Sequence, residues 1–122
     1  VVDSNDEENL TLAKMELHNC LLHPHLKEAD LLVIANKQDV HGCLKPARIM
    51  EVLDLTNVRN HEWHIQPVVA LTGQGLPQCM DWIAGRVEET FSRLKLKEKS
   101  SSVAFQRFFE LQIHPQDYQN RK

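Results

Sequence analysis

One short run of residues constrains the fold more than any other feature of this chain. Residues 31–35 read Leu-Leu-Val-Ile-Ala, an unbroken apolar segment of strand length with polar residues on both sides. Such a run, without alternation, is typical of a strand covered on both faces, as in a parallel sheet. Because the run ends at Asn36, the sequence predicts a buried strand that opens directly into a polar loop.

Helical segments alternate with strands around this run. The cluster Ser4-Asn5-Asp6 can cap a helix that extends to Leu22, since Pro24 disfavours helical geometry in the residue before it. Pro46 suits the first position of a second helix. Residues 77–94 carry apolar side chains every three or four positions, which predicts a third and strongly amphipathic helix.

A second full strand is predicted over residues 65–70, and Val1-Val2-Asp3 resembles the end of another strand. Pro67 cannot donate a ladder hydrogen bond, so we place the strand that contains it at an edge of the sheet. Short strands that alternate with helices favour an α/β fold with parallel strands.

Charge divides the chain into two segments. Residues 1–94 hold eight basic and fourteen acidic side chains, whereas residues 95–122 hold six basic and three acidic ones. We predict a folded domain over 1–94 and an appended, loosely ordered tail over 95–122, with Ser100-Ser101-Ser102 breaking the helical pattern. Alternatively, the tail contacts a partner or an acidic membrane surface through residues that share one helical face: Phe105, Phe108 and Phe109.

Composition excludes several classes of function. The net charge is −3 and the isoelectric point is near 6.2, which gives no general attraction for nucleic acid. The longest apolar runs have the length of strands and fall short of the ~20 residues that a membrane span needs. Three widely spaced cysteines, Cys20, Cys43 and Cys79, indicate reduced thiols and a cytoplasmic setting. No metal site is predicted.

Two loops follow the predicted strands. Asn36-Lys37-Gln38-Asp39 comes directly after the buried strand, and the loop that begins at Ala70 and contains Gly73 and Gly75 follows the edge strand. Ligands of parallel sheets bind outside the carboxyl ends of the strands, where such loops gather. The two loops are therefore predicted to lie together at one edge of the sheet and to form the functional site.

The pattern Asn-Lys-x-Asp at this position resembles the guanine-recognition motif of small GTPases. An ionised Asp39 accepts two hydrogen bonds, which matches the adjacent N–H and NH₂ donors of guanine and mismatches adenine. The aliphatic stem of Lys37 can lie over the base, and the Asn36 amide can connect the two loops. The backbone N–H of Ala70 is expected to meet the guanine carbonyl oxygen. The predicted base-binding residues are Asn36, Lys37, Gln38, Asp39 and Ala70.

Further segments extend the resemblance over residues 1–94: Val1-Val2-Asp3-Ser4-Asn5-Asp6, His64-Ile65-Gln66, Ala70-Leu71-Thr72-Gly73-Gln74-Gly75-Leu76 and Asp81-Trp82. Together they resemble the C-terminal half of an ADP-ribosylation-factor-like (ARF-like) small GTPase. The resemblance implies a P-loop GTPase-like fold truncated to its last three strands and three crossover helices, with GTP or GDP as ligand and a role in vesicle trafficking. Pro67 and Leu71 depart from the pattern of that family.

The phosphate-binding half of such a GTPase has no counterpart in the sequence. The pattern G-x-x-x-x-G-K-[ST] does not occur, and the resemblance places the Mg²⁺ and switch residues upstream of Val1. We therefore expect this chain by itself to bind GTP or GDP weakly or not at all and to be inactive as a GTPase. The alternative is a non-catalytic interaction module that uses the exposed sheet edge or the tail to bind protein partners.

Overall fold

The computed structural model describes the backbone of residues 1–112 and the side chains of residues 1–103. Three parallel strands form one sheet in the order β1-β2-β3. The strands are β1 (Val2–Asp3), β2 (Leu31–Asn36) and β3 (Trp63–Pro67), and the helices are α1 (Glu7–Leu21), α2 (Pro46–Val52) and α3 (Leu76–Gln112), with short 3-10 turns at Pro24–Leu26 and Leu55–Asn57. The α/β arrangement predicted from the sequence is confirmed.

Contacts divide the chain into two units, Val1–Ala84 and a second unit that begins at Gly85. The sheet, α1 and α2 belong to the first unit. The predicted boundary between 1–94 and 95–122 stays a prediction.

The ends of α1 are set by local sequence. Asp6 is the N-cap, and its Oδ1 accepts a hydrogen bond from the Asn9 backbone N–H at 3.2 Å. Glu7 and Glu8 lie in the first turn, where negative charge interacts favourably with the helix dipole. The helix ends at Leu21, one residue earlier than predicted, and Leu22 caps it.

A buried apolar cluster joins α1, β2 and α2 on one face of the sheet. Leu10, Val33, Ala35 and Ile49 are almost completely buried, together with Leu53. Burying a large apolar side chain contributes roughly 1.5–3 kcal/mol, so this cluster stabilises the first unit. Leu32 and Ile34, on the opposite face of β2, are only half-buried, so the two faces of the predicted strand are not equally covered.

Strand β3 lies at an edge of the described sheet, as Pro67 predicts, but it occupies different residues from those expected. It pairs with β2 in the register Leu31↔Trp63 to Ala35↔Pro67, so it begins two residues earlier and ends three residues earlier than the predicted strand. The reason is the turn that follows: the Val69 N–H bonds to the Gln74 carbonyl at 2.9 Å in an antiparallel bridge, which takes the chain out of the parallel ladder.

The long helix α3 begins against the sheet. The ring of Trp82 stacks on His64 of β3, with ring centroids 5.8 Å apart. The apolar positions predicted for this helix lie on a face that is substantially exposed, from 39 % at Ile83 to 62 % at Met80. No helix within residues 1–112 is both long and apolar enough to span a bilayer.

The predicted break at Ser100-Ser101-Ser102 is wrong, because α3 continues without interruption to Gln112. Serine lowers helix stability by only a few tenths of a kcal/mol per residue, and good helix formers surround the serines. The side chains of Phe105, Phe108 and Phe109 lie outside the described residues, so the two interpretations of the tail stay predictions.

Three glycines provide a test of the loop geometry. Gly75 has φ +84°, and a Cβ at this position would overlap the carbonyl oxygen of Pro67. We expect Gly75→Ala to lower the free energy of unfolding by more than ~2 kcal/mol, because left-handed geometry alone costs about 1–2 kcal/mol. Gly73→Ala should lower the free energy of unfolding by only about 1–2 kcal/mol, the cost of left-handed geometry, because Gly73 has φ +82° and open space around it.

The measurement is urea unfolding followed by circular dichroism. Gly85→Ala is the control, because Gly85 lies within α3 with no atom near its would-be Cβ, and it should stabilise by about 0.5–1 kcal/mol. Equal losses for the alanine variants at 73 and 75 would show that the close approach to Pro67 is not present in solution.

Candidate functional site

The two predicted loops lie side by side at the carboxyl edge of the sheet. Asn36 ends β2, and its side-chain Oδ1 accepts a hydrogen bond from the backbone N–H of Ala70 at 3.0 Å. The Gln38 N–H also donates to the carbonyl of Val68 at 3.2 Å. The Asn36 amide thus connects the two loops, as the sequence suggested.

Lys37 is held by a residue from the neighbouring strand. Its backbone is left-handed, with φ 65°, and its Nζ lies 2.6 Å from Oδ2 of Asp3. Asp3 ends β1 and pairs in register with Asn36, which brings the carboxylate to the same edge as the loop. Asp3 also accepts a hydrogen bond from the Asn5 N–H at 2.9 Å. The position of the Lys37 ammonium group is therefore set by β1.

This ion pair changes the acidity of both groups. The hydrogen bond from Lys37, and then that from the Asn5 N–H, lower the pKa of the Asp3 carboxyl below its usual value. The same hydrogen bond and the negative charge of Asp3 raise the pKa of Lys37, and the charges of Asp6 and Asp39 add to that effect. The lysine consequently remains a cation throughout the physiological range.

Gln38 faces the protein and braces the loop. Its Nε2 donates to Oγ of Ser4 at 2.8 Å and to the carbonyl of Leu44 at 2.9 Å. Ser4 is completely buried, and its own carbonyl accepts from the Leu44 N–H at 2.8 Å. Both amide hydrogens of Gln38 are thereby used inside the protein, and its predicted contact with a base stays a prediction.

Asp39 is arranged differently from its neighbours. It is exposed, and within residues 1–103 no hydrogen bond or ion pair engages its carboxylate. Two oxygens of an ionised carboxylate can accept hydrogen bonds from a pair of adjacent donors. The loop therefore presents an available acceptor pair on a backbone that Asn36 and Gln38 hold in place.

The second loop is stabilised by its own hydrogen bonds. The Gly73 N–H donates to the Val69 carbonyl at 2.9 Å, and the Thr72 hydroxyl accepts from the Gln74 N–H at 3.3 Å. Leu71 is 92 % exposed, so the position that departs from the pattern of the resembled family points a large apolar side chain into solvent. The Ala70 N–H, predicted to contact a base carbonyl, is donated to Asn36 in this structure.

Two residues of this edge were not predicted from the sequence as parts of the site. Asp3 and Ser4 fix Lys37 and Gln38, although they are about thirty-four positions away along the chain. The sequence indicated them only indirectly. Residues at the end of one parallel strand lie at the same edge of the sheet as the loop that follows the adjacent strand. No group of three or more His, Cys, Asp or Glu side chains among the described residues is placed to hold a metal ion.

Comparison with known proteins identifies relatives over this part of the chain. The family model described as "ADP-ribosylation factor family" matches residues 1–87. ADP-ribosylation factor-like protein 5A of Bos taurus is 47 % identical over 88 residues, which cover 72 % of this chain and 49 % of the relative.

Two further relatives agree with that match. ADP-ribosylation factor-like protein 5A of Homo sapiens is 46 % identical over 88 residues, covering 72 % of this chain and 49 % of the relative. ADP-ribosylation factor-like protein 5 of Dictyostelium discoideum is 38 % identical over 90 residues, covering 74 % and 49 %. The chain thus spans about half the length of the relatives that it matches.

The Asp3–Lys37 pair predicts a specific titration. Carboxyl resonances followed by NMR from pH 2 to 6 should give Asp3 a pKa below the ordinary value of an aspartate. Lys37→Met should raise that pKa, while the hydrogen bond from the Asn5 N–H keeps part of the effect. A pKa of Asp3 that does not change in Lys37→Met would show that the ion pair is not formed.

The same pair gives stability a pH dependence of known sign. A carboxyl whose pKa is lower in the folded state stabilises the fold above its unfolded pKa, and that contribution is lost as the pH falls through the folded pKa. Asp3→Asn should therefore reduce the free energy of unfolding at pH 6 more than at pH 2.5, measured by urea unfolding. An equal reduction at both pH values would contradict the assignment.

Proposed function

This chain belongs to the ADP-ribosylation factor family, and from that membership we propose that its two carboxyl-edge loops bind the guanine base of GTP or GDP. The observation that carries the proposal is the Asn36–Ala70 hydrogen bond of 3.0 Å, which holds the loops together beside the unengaged carboxylate of Asp39. The predicted base-binding residues, 36–39 and 70, thus share one edge of the sheet.

Asp39 is the residue that selects the base. Guanine offers an N–H and an NH₂ group on adjacent ring atoms, and an ionised carboxylate can accept from both. Adenine presents an acceptor in place of the first donor, so one carboxylate oxygen would face a lone pair. Asp39 needs no rearrangement to act in this way, because no other side chain among residues 1–103 occupies it.

The proposed contacts of Lys37 and Ala70 with the base follow from where their hydrogen bonds to Asp3 and Asn36 hold them. The ion pair with Asp3 fixes the Lys37 ammonium group at 2.6 Å, which leaves its aliphatic stem as the part that can cover a ring face. The Ala70 N–H already donates to Asn36, so its contact with the guanine carbonyl is proposed as a shared hydrogen bond. Gln38 holds the loop in place through its hydrogen bonds to Ser4 and Leu44.

The strength of this binding follows from the number of contacts. A hydrogen bond to a charged group contributes roughly 1.5–3 kcal/mol, so two at Asp39 give about 3–6 kcal/mol before the entropy of immobilising the ligand is subtracted. A dissociation constant on the order of 0.1 mM or weaker results. The 122 residues are thus proposed to discriminate guanine without holding a nucleotide tightly.

The cellular setting is part of the same proposal. The three cysteines are free thiols, with Cys20 exposed and with Cys43 and Cys79 buried. Free thiols suit a reducing compartment, and a cytoplasmic location is proposed on that ground. A role in vesicle trafficking is proposed from family membership alone.

Guanine recognition can be tested by NMR titration of the isotope-labelled chain with guanosine and, separately, with adenosine. We expect guanosine to shift the amide resonances of the loops at millimolar concentration and adenosine to shift them at least fivefold less. Asp39→Asn should remove this preference, because an amide supplies a donor where guanine needs a second acceptor.

The matched control is Glu88→Gln, which neutralises an exposed carboxylate on α3 and should leave the preference unchanged. If Asp39→Asn keeps the full preference for guanosine, Asp39 does not belong to the site. If neither nucleoside shifts the loop resonances, the proposed function fails.

Hydrolysis is a separate question. The sequence contains no G-x-x-x-x-G-K-[ST] pattern, and no metal-binding cluster is present among the described residues. We expect phosphate release from GTP by the purified chain to equal that of buffer. The Asp39→Asn variant, purified in the same way, controls for contaminating GTPases. Turnover above buffer that disappears in Asp39→Asn would contradict this expectation.

A further inference from the structure

A cavity of about 550 Å³ lies at the edge of the sheet opposite the two loops. Its walls come from the last turn of α1, the turn around Pro24 and residues 57–61, which precede β3. Strand β2 separates this amino-terminal edge from the Asn36 loop by roughly 20 Å, given about 3.3 Å per residue over its six residues. The cavity is therefore distinct from the proposed guanine site.

Two histidines hold the walls of this cavity in place. His18 donates from Nε2 to the carbonyl of Leu53 at 2.9 Å, which fixes the end of α1 to the segment after α2. His61 donates from Nδ1 to the carbonyl of Ala29 at 2.9 Å, which joins the segments that lead into β3 and β2. A cavity with walls fixed in this way costs little conformational entropy when a ligand enters.

The charge of the lining has one sign. Lys27 and Arg59 both line the cavity, and no aspartate or glutamate does. Neither cation has an ion-pair partner among residues 1–103. Glu28 and Glu62 are close in sequence but are absent from the lining. The chain as a whole carries a net charge of −3, so this basic cavity is a local departure from its overall charge.

His23 adds a hydrogen-bond donor to the two cations. Its Nδ1 accepts from the backbone N–H of His25 at 3.3 Å, which places the ring proton of the neutral form on Nε2. His23 lines the cavity, and its Nε2–H is suited to donate to a carboxylate oxygen.

Apolar side chains share the cavity with these polar groups. Leu21, Pro24 and Val58 line it, together with Leu22 at the end of α1. Leu22 is 82 % exposed and lines the cavity with these apolar residues. An exposed leucine next to unpaired cations fits a ligand that carries both an apolar group and negative charge.

We propose that this cavity binds an acidic peptide segment, with Lys27, Arg59 and His23 contacting its carboxylates and Leu22 and Val58 contacting an apolar side chain between them. The mode is electrostatic complementarity around an apolar anchor, which gives specificity as well as affinity. This proposal does not depend on the guanine site, since no residue is shared between the two.

The shape of the cavity favours a peptide over an anionic membrane. A lipid surface is flat and attracts extended clusters of several basic residues, at about 1 kcal/mol for each. Here only two basic side chains, Lys27 and Arg59, line a concave site of a size that a projecting side chain can enter.

The test uses the full 122-residue chain and a fluorescein-labelled peptide of four Glu-Glu-Leu repeats, with fluorescence anisotropy as the measurement. We expect saturable binding, at least tenfold weaker binding of a Lys-Lys-Leu counterpart and several-fold weaker binding of a Glu-Glu-Ser counterpart. The double variant Lys27→Glu, Arg59→Glu should lower the affinity for the first peptide at least tenfold.

Two further variants separate the site from general charge effects. Lys97→Glu reverses an exposed cation on α3 and should change the affinity less than twofold, whereas Leu22→Ser, at a position already exposed, should weaken binding about threefold. Circular dichroism is used to check that each variant is folded. Guanosine titration should be unaffected in all of them, so failure of this proposal is distinguishable from failure of the guanine site.

Four results would overturn the proposal: no binding of the acidic peptide at about 1 mM, equal binding of the basic peptide, undiminished binding by the charge-reversed double variant, or an equal loss in Lys97→Glu. Sedimentation with phosphatidylserine vesicles tests the alternative that the cavity binds a lipid surface. Binding to vesicles that depends on Lys27 and Arg59, in the absence of peptide binding, would assign the cavity to a lipid surface instead.

Discussion

The pairing of β2 with a parallel strand on each side determines the geometry of the whole carboxyl edge. Asp3 of β1 lies opposite Asn36, and Pro67 of β3 lies opposite Ala35, so all three strands end within one residue of each other. Parallel strands that end together deliver their following segments to one place. The register therefore brings Ser4, Lys37 and Ala70 into one small region, although long stretches of chain separate them.

Within that region some polar groups hold the loop in place, and one remains available to a ligand. Asn36 and Gln38 direct their amides into the protein, toward Ala70 and toward Ser4 and Leu44. Asp3 neutralises and positions Lys37. Because these neighbours satisfy one another, the loop keeps its shape while the carboxylate of Asp39 remains exposed to solvent and to a ligand. A hydrogen bond or ion pair from another side chain to Asp39 would have made this carboxylate unavailable to a ligand.

The two edges of the sheet have opposite chemical character. The carboxyl edge offers an available carboxylate beside one neutralised lysine, whereas the amino edge holds Lys27 and Arg59 without a partner among the described residues. The buried cluster that includes Leu10, Val33 and Ile49 packs α1, β2 and α2 together between these edges. A ligand at either edge would therefore stabilise the same core by binding only the folded state.

Local patterns in the sequence determined the elements and the chemistry of the loop. The apolar run 31–35 determined a strand, although only its Val33 and Ala35 face is buried. Asp6 determined the start of α1, Pro67 the edge position of β3, and residues 36–39 the kind of ligand expected. Each of these depends on neighbours within a few residues, so each can be recognised without coordinates.

Tertiary structure alone decided the rest. The Asp3–Lys37 ion pair, the burial of Ser4 and the cavity beside Leu22 depend on segments that strand register and helix packing bring together across about thirty or more positions. The bounds of β3 depend on its register with β2 and on the Val69–Gln74 turn that follows it. The persistence of α3 through the serine run is the local exception, since small propensity differences do not decide a helix of this length. Contacts between distant segments follow from packing in three dimensions, and no pattern of nearby residues records that packing.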